Sequence, residues 1–555
     1  MTYVKAVFSI VFFCLTHTVS VASSTIETIP APQESRVLIL DFGSQYSHLI
    51  ARRVRELGMY SFVMPADASV ERIKNFNPRA VLFSGGPFSV YDEDSPALEK
   101  KVHHYLVDKN IPILGICYGM QYIAHNLGGK VQKAVNREYG RTAINIAKDS
   151  KLFSFMKKPE TFTVWMSHGD EVLSLPSGFR VAATSNNNVL VAAECPEKNI
   201  YMVQFHPEVT HTQKGIEILS HFLIDIANVT PSWNMEDYAK LQIKKIQEMV
   251  PPNEHVICAI SGGVDSCVAA TLVHRALADR LHCVFVDNGM LRYKERERVM
   301  TMFTEKLSLP VVAIDASEIF LNALTNVTDP EKKRKIIGKT FIDVFEDYAS
   351  KLTEQLGTKP RYLVQGTLYP DVIESSKTSG FSTVIKSHHN VGGLPEELDF
   401  TLIEPLRDLY KDEVRQLGKE LGVSTVFLSR HPFPGPGLAI RIIGKLSQEK
   451  IEALQHADEI FIQALKKENL YDKIWQAGAM YLPVSTVGIQ GDSRTYNHVI
   501  ALRAVISHDG MTADWYRFDP DFLAYVSNNI INNVPSINRV VYDISSKPPA
   551  TIEWE

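Results

Sequence analysis

The chain has 555 residues, enough for about three or four domains, each with its own core. It is 45% hydrophobic and 22% charged with a formal net charge of −5, the composition of a globular protein without a dominant basic surface, which excludes general nucleic-acid binding as its main business. Six cysteines, at Cys14, Cys117, Cys195, Cys258, Cys267 and Cys283, form no C-x-x-C pair, arguing for reduced thiols and against structural zinc or a disulfide scaffold.

Residues 1–35 read as a leader and linker. Lys5 precedes the apolar run Ala6 to Leu15, and Ser20-Val21-Ala22 resembles a small-residue cleavage site, the pattern of a secretory or organelle-targeting signal over residues 1–22. A degenerate leader or a misplaced start fits the same residues. The run is too short for a stable membrane span. The Asn228 and Asn326 triplets match a glycosylation pattern that chance also produces.

From Arg36 the pattern changes to strands alternating with helices. Arg36 to Phe42, Ala80 to Ser84 and Ile111 to Cys117 read as buried strands, and Gln45 to Leu57 has helical periodicity. Such alternation predicts a parallel sheet with its functional groups at the carboxyl ends of the strands. Gly115-Ile116-Cys117-Tyr118-Gly119 puts a cysteine between glycines at a strand-to-helix turn, the thiol counterpart of a nucleophile elbow. Alone, a cysteine such as Cys117 is more often a buried small hydrophobe than a nucleophile. A second strand end carries His206-Pro207-Glu208, where His206 could take the thiol proton and Glu208 could orient the ring. A third, Ser84-Gly85-Gly86-Pro87, offers backbone N–H groups for an oxyanion.

These motifs resemble the class I glutamine amidotransferases over about residues 36–228. The resemblance implies that Cys117 attacks the glutamine side-chain amide to give a glutamyl thioester and ammonia. His206 would be acid and base and Glu208 the orienter. The N–H groups of Gly86 and Tyr118 would hold the oxyanion, with Gln121 lining the glutamine pocket. Ser167-His168-Gly169-Asp170 resembles the family's loop beside the glutamine site, although His168 could equally be structural.

Pro231 to Asn234 marks a boundary, followed by a helix from Met235 to Met249. The apolar run Val256 to Ile260 then leads into Ser261-Gly262-Gly263-Val264-Asp265-Ser266 and a helix. Strand, glycines and hydroxyls, then a helix start is how a backbone makes an anion site. A plain Gly-rich turn is the alternative for these six residues alone. No Gly-Lys-Ser/Thr follows, so this is not a Walker A loop, and Asp265 beside an anion calls for a bridging cation such as Mg²⁺. The loop resembles that of the N-type ATP pyrophosphatases, over about residues 235–430. Ile385 to Gly393 reads as a polar loop or, with its glycines, a closing lid carrying Lys386. Glu331 to Lys335 is a short basic run, usually a solvated face, of which a nucleotide monophosphate site would use one or two charges.

At His431 to Gly437, rich in proline and glycine, a third unit begins, read as a small α+β domain over residues 431–555. Its terminal segment, Lys547 to Glu555, spaces charged and aromatic residues with prolines, as a packed or functional segment would.

The three units in this order resemble the compact type of the glutamine-hydrolysing GMP synthetase family. The fold implied is α/β: two parallel-sheet domains, amidotransferase then ATP pyrophosphatase, plus the C-terminal α+β domain through which the compact type forms homodimers. The implied reaction uses ATP to adenylate XMP and ammonia from glutamine to displace AMP. Ser261, Gly262, Gly263, Val264, Asp265 and Ser266 would hold pyrophosphate, with Mg²⁺ at Asp265 and Lys386 closing over them. Arg334, Asp492, Arg494, Lys547 and Glu553 match positions assigned to XMP. This chemistry suits the cytosol, whereas a working leader points to the secretory pathway or an organelle. Two alternatives stay open: an exported binding or signalling module on the same fold, and an amidotransferase-ligase with another acceptor such as deamido-NAD⁺.

Overall fold

The computed structural model describes residues 29–156, 161–375, 400–490, 493–507 and 512–555. The leader over residues 1–22, the segment Ile385 to Gly393 with Lys386, and Asp492 therefore lie outside the described residues.

The first sheet has nine strands. Tyr60–Pro65, Arg36–Asp41, Ala80–Phe83, Ile113–Ile116 and Ile200–Val203 run parallel, in that spatial order. Val37 to Leu40 are all fully buried, as expected of a parallel strand covered on both faces by helices. Beyond Ile200–Val203 the sheet continues antiparallel through Leu190–Cys195, Arg180–Ser185, Lys130–Ile146 and Thr161–Ser174. In Thr161–Ser174 buried residues alternate with more exposed ones, because only one face meets the core. This extension is an addition to the parallel architecture read from the sequence.

The second sheet is all parallel, in the order Val311–Asp315, Leu281–Asp287, Val256–Ile260, Tyr362–Val364, Thr401–Ile403. Val256–Ile260 comes first in the chain and has its successors on both sides, so the crevice beyond its carboxyl end is the topological switch point where α/β sheets bind ligands. The helix Met235–Met249 precedes it and starts where the Asn234 side chain accepts the Asp237 N–H at 2.9 Å, an N-cap. One continuous core joins the two sheets and includes Leu40, Tyr60, Trp233, Tyr238, Val268 and Leu417.

The C-terminal unit is built on a long hairpin, Gln476–Gln490 with Ser493–Ile506, to which Ile537–Tyr542 adds a parallel strand. The helices Gln448–Lys467 and Pro520–Asn533 cover it, with Phe461, Ile500, Val526 and Ile530 fully buried between them.

Candidate active site

The strand Ile113–Ile116 ends at Cys117, and the helix Tyr118–Asn126 begins one residue later. Cys117 takes φ +54°, a left-handed conformation that a residue with a Cβ keeps only when its surroundings enforce it. The neighbouring glycines allow the turn. A Cβ on Gly115 would meet Ile123 Cδ1 at 2.7 Å, and one on Gly119 would meet the Phe83 carbonyl oxygen at 2.6 Å. Tyr118 opens the helix, where backbone N–H groups have no acceptor within the helix and the dipole is positive. The Gly85-Gly86 turn packs against this elbow. A Cβ on Gly85 would lie 3.2 Å from His206 Cε1 and 3.7 Å from Cys117 Cβ, and one on Gly86 would strike the Phe42 carbonyl oxygen at 2.6 Å.

His206 follows Ile200–Val203, the strand paired with that of the cysteine through Ile116 and Val203. Its Nδ1 lies 2.7 Å from Glu208 Oε1, and both side chains are buried. Burial pulls the imidazole down, but the Glu208 charge and the contact with Cys117 outweigh it and push His206 up to about 11. The ring is therefore protonated at neutral pH.

A buried polar chain leads away from the thiol. Gln204 Nε2 lies 3.8 Å from Cys117 Sγ. Gln121 Nε2 donates to the Asp170 carbonyl at 3.0 Å and to Gln204 Oε1 at 3.3 Å. His168 Nδ1 is 2.8 Å from the same carbonyl, and Tyr91 donates its hydroxyl to Asp170 Oδ1 at 2.9 Å. Cys117, His206, Glu208, Gly86, Tyr118, Gln121 and His168 thus converge on one place. Sequence reasoning missed Gln204, although a glutamine at the end of the apolar run Tyr201 to Val203 was the available signal, since a buried amide needs partners.

The second cluster is the loop Ser261 to Ser266, at the carboxyl end of Val256–Ile260. Gly262 takes φ +77° and Gly263 caps the helix Val264–Leu277. The hydroxyls close the loop on itself: Ser261 N–H donates to Ser266 Oγ at 3.3 Å, Ser266 Oγ donates to the Gly263 carbonyl at 3.2 Å, and Gly263 N–H donates to Ser261 Oγ at 3.4 Å. Asp265 is held by a residue that the sequence did not single out. Lys411 Nζ lies 2.6 Å from both of its carboxylate oxygens. Lys411 is the first residue of the helix Lys411–Glu420, where the dipole disfavours a cation, and that mismatch was the signal to look for. Arg430 also reaches the loop, donating to the Gly262 carbonyl at 3.4 Å while paired with Glu295.

The third cluster gathers part of the residues matched to XMP. Arg334 donates to the Glu555 carbonyl at 2.6 Å, and Glu553 is held by Arg441 at 2.7 and 3.0 Å and by Gln476. Glu553 also lines an open groove of about 630 Å³ with Tyr542, Asp543, Ser545, Thr551 and Trp554. Lys547 joins this end of the unit through backbone hydrogen bonds with Ala513. The basic run is not simply a solvated face: Lys333 is fully buried, bonded to the carbonyls of Ala439 and Ile442 and to the Glu555 carboxylate. Arg494 is elsewhere. It pairs with Ile489 at the tip of the hairpin, whereas Gln476, beside Glu553, pairs with Val505 at the other end. The eleven residue steps of strand from Arg494 to Val505 span roughly 36 Å, so one chain does not bring Arg494 to Glu553.

Comparison with known proteins accounts for the three clusters together. The family described as Glutamine amidotransferase class-I matches residues 38–226, Queuosine biosynthesis protein QueC matches residues 255–429, and GMP synthase C terminal domain matches residues 463–554. The chain is 54% identical over 523 residues to the GMP synthase [glutamine-hydrolyzing] of Aquifex aeolicus, covering 94% of this chain and 100% of that one. It is also 54% identical to that of Pelodictyon phaeoclathratiforme, over 94% of this chain and 99% of that one, and 51% identical to that of Brachyspira hyodysenteriae with the same coverage. The chain belongs to the glutamine-hydrolysing GMP synthase family. The family membership spans all three clusters, so the thiol turn, the glycine loop and the C-terminal groove are parts of one synthase. Among the described residues no helix is long and apolar enough to cross a membrane.

Proposed function

We propose that this chain makes GMP from XMP, with ATP as activating reagent and glutamine as nitrogen donor. The family membership supports this reaction, and the observation that carries its division of labour is the pair of strand-end sites, a thiol elbow with a protonated imidazole and an anion loop with a carboxylate. The boundaries near residues 36–228, 235–430 and 431–555 serve as the working division.

At the first site Cys117 is the nucleophile on the glutamine amide. His206, protonated in the resting pair, delivers its proton to the departing ammonia and then takes one from the water that cleaves the thioester. Glu208 keeps the ring turned. The N–H groups of Gly86 and Tyr118 receive the oxyanion, and Gln121 and His168 build the pocket wall. At the second site the loop Ser261 to Ser266, its N–H groups released from the internal hydroxyl contacts, and the helix dipole receive the pyrophosphate. XMP must be activated because its purine C2 oxygen is a poor leaving group; adenylation of that oxygen releases pyrophosphate, and ammonia adding at C2 then expels the oxygen as part of AMP.

The donor set at Asp265 fits Mg²⁺, which is bound by one or two carboxylates plus phosphate oxygens and water. When bound, Mg²⁺ would offset the charge on the departing pyrophosphate. Asp265 would hold it, and Lys411 would leave the carboxylate and turn to the phosphates. Lys386 is retained as a second phosphate ligand. Arg334, Lys547 and Glu553 belong to the XMP site around the C-terminal groove.

A homodimer through the C-terminal hairpin is supported by its exposed apolar face, and Arg494 then belongs to the tip that meets the partner. The cytosol is the compartment that supplies the three substrates; the leader is proposed to leave that assignment unchanged.

The test measures XMP-dependent AMP release and GMP formation with glutamine and with ammonia. Cys117→Ala is expected to abolish the glutamine route and keep the ammonia route, and Asp265→Asn to stop both. Loss of both routes in Cys117→Ala, or AMP release without XMP, would overturn the reading.

A further inference from the structure

Behind the thiol pocket two buried acceptors face each other. Glu138 and His168 are register partners on the antiparallel strands Lys130–Ile146 and Thr161–Ser174. His168 Nδ1 is 2.8 Å from the Asp170 carbonyl, and a carbonyl only accepts, so this nitrogen carries the ring proton. The neutral ring then turns a lone pair at Nε2 toward Glu138 Oε2, 4.0 Å away. Both atoms are buried and have no hydrogen-bond partner among the described residues. Glu138 Oε1, by contrast, accepts from Ser185 Oγ at 2.9 Å and Asn187 Nδ2 at 3.1 Å. Two buried lone pairs at this separation repel, and each lacks the hydrogen bond that burial demands. One proton taken up here lets the two atoms close from 4.0 Å to hydrogen-bond distance, which removes both penalties.

The pair stands where it can be felt at the thiol. The Asp170 carbonyl that His168 holds is also the acceptor for Gln121, and the carbonyl of Ser167, next to His168, lies 3.7 Å from Cys117 Sγ. The backbone from Ser167 to Asp170 is thus a wall of the glutamine pocket, and His168 is its strut.

We propose that Glu138 is a positioning residue of the glutaminase site, which by sharing one proton with His168 fixes the 167–170 wall and so sets the affinity for glutamine. The proposal rests on the glutaminase reading above. The charged groups facing His168 are Glu138 across the strand pair, Glu171 on its own strand and His206 over the pocket. Burial pushes His168 below its usual value, the hydrogen bond to the Asp170 carbonyl and then the two carboxylates pull it partly back, and His206 adds to the push. His168 therefore takes up the added proton on the acid side of neutrality, and the wall tightens as pH falls.

The experiment follows glutamate release against glutamine concentration between pH 5.5 and 7.5 in the full chain and in Glu138→Gln. In the wild type the glutamine KM should fall about tenfold toward acid, the value of one recovered hydrogen bond, with little change in kcat. Glu138→Gln supplies a permanent N–H to Nε2 and should show the low KM at every pH. A Glu138→Gln variant that keeps the wild-type pH slope overturns the proposal. So does one in which KM, the ammonia-dependent rate at pH 8 and thermal stability all deteriorate together, since that is a structural role only. Failure of the glutaminase reading is separate, because it shows as glutamine use surviving in Cys117→Ala.

Discussion

His206 carries the largest consequence of any single side chain in the first site. Its folded pKa, about 11, stands above the usual 6.5 because Glu208 and Cys117 outweigh burial, so the stabilisation from its protonated form is complete below pH 6.5 and is lost only as pH rises toward 11. Glu208→Gln should keep the fold but lower glutamine-dependent turnover by about 10³–10⁴, as when a triad loses its orienting carboxylate, while ammonia-dependent GMP formation stays within twofold. Steady-state rates with the two nitrogen donors check this. His431 behaves in the opposite sense. Burial holds it down to about 4, with its ring stacked on Tyr471 at 3.8 Å and its Nδ1 accepting the Ala477 N–H at 3.2 Å. Acid must protonate it in the unfolded chain first, so its contribution is full above pH 6.5 and is lost as pH falls toward 4, about 3 kcal/mol in all. Denaturant titrations at pH 7 and pH 4.5 should show His431→Gln less stable at pH 7 and its deficit shrinking toward acid. At this scale the sequence was informative where residue type and strand end coincide, as at Cys117, His206 and Asp265. It was silent on Gln204, Glu138 and Lys411, whose roles depend on what folding brings opposite them.

Between elements, the contact that joins the first two units is built from residues hundreds of positions apart. Arg55, near the end of the helix Ser47–Glu56, is fully buried yet charged. Glu413 of Lys411–Glu420 pairs with it at 3.0 Å, and the rings of Tyr60 and Trp233 lie 4.3 and 4.5 Å from its guanidinium. Trp233 donates its indole N–H to the same carboxylate at 2.5 Å. Tyr369 adds a hydroxyl contact to the Val63 N–H at 2.9 Å. Removing one member of a buried pair leaves the other charge stranded, at about 3–5 kcal/mol, whereas replacing both with apolar groups of similar size costs far less. Glu413→Leu should therefore destabilise the chain by about 3–5 kcal/mol in chemical denaturation, and Arg55→Met with Glu413→Leu should recover most of that loss. Additive losses would show that the two side chains do not act as a pair. None of this was legible in the sequence. Pro231 to Asn234 announced a boundary, and its tryptophan turned out to be the mortar of the interface, because a helix start that reads as a linker in one dimension packs between two sheets in three.

At the scale of the whole molecule, the hairpin tip offers a face on which a second chain can be tested. Val487 and Tyr496 are paired across the strands, as are Ile489 and Arg494, so period-2 alternation places all four on one face. The opposite face is covered: Asn538 donates to the Thr486 carbonyl and accepts from its hydroxyl. The open face leaves Ile489 78% exposed and Tyr496 65% exposed, with Val487 at 53%. A contiguous apolar ladder of this kind, rimmed by an arginine, marks an interaction site, and a second copy of the same face is the self-complementary partner that twofold assembly uses. Sedimentation equilibrium of the purified chain is expected to give a dimer. Val487→Lys with Ile489→Lys adds four like charges across the twofold axis and should give monomers with the glutaminase activity of Cys117 intact, since that site shares no element with the hairpin. If the double variant remains dimeric, the chains pair through another face, and Arg494 must find its role within its own chain.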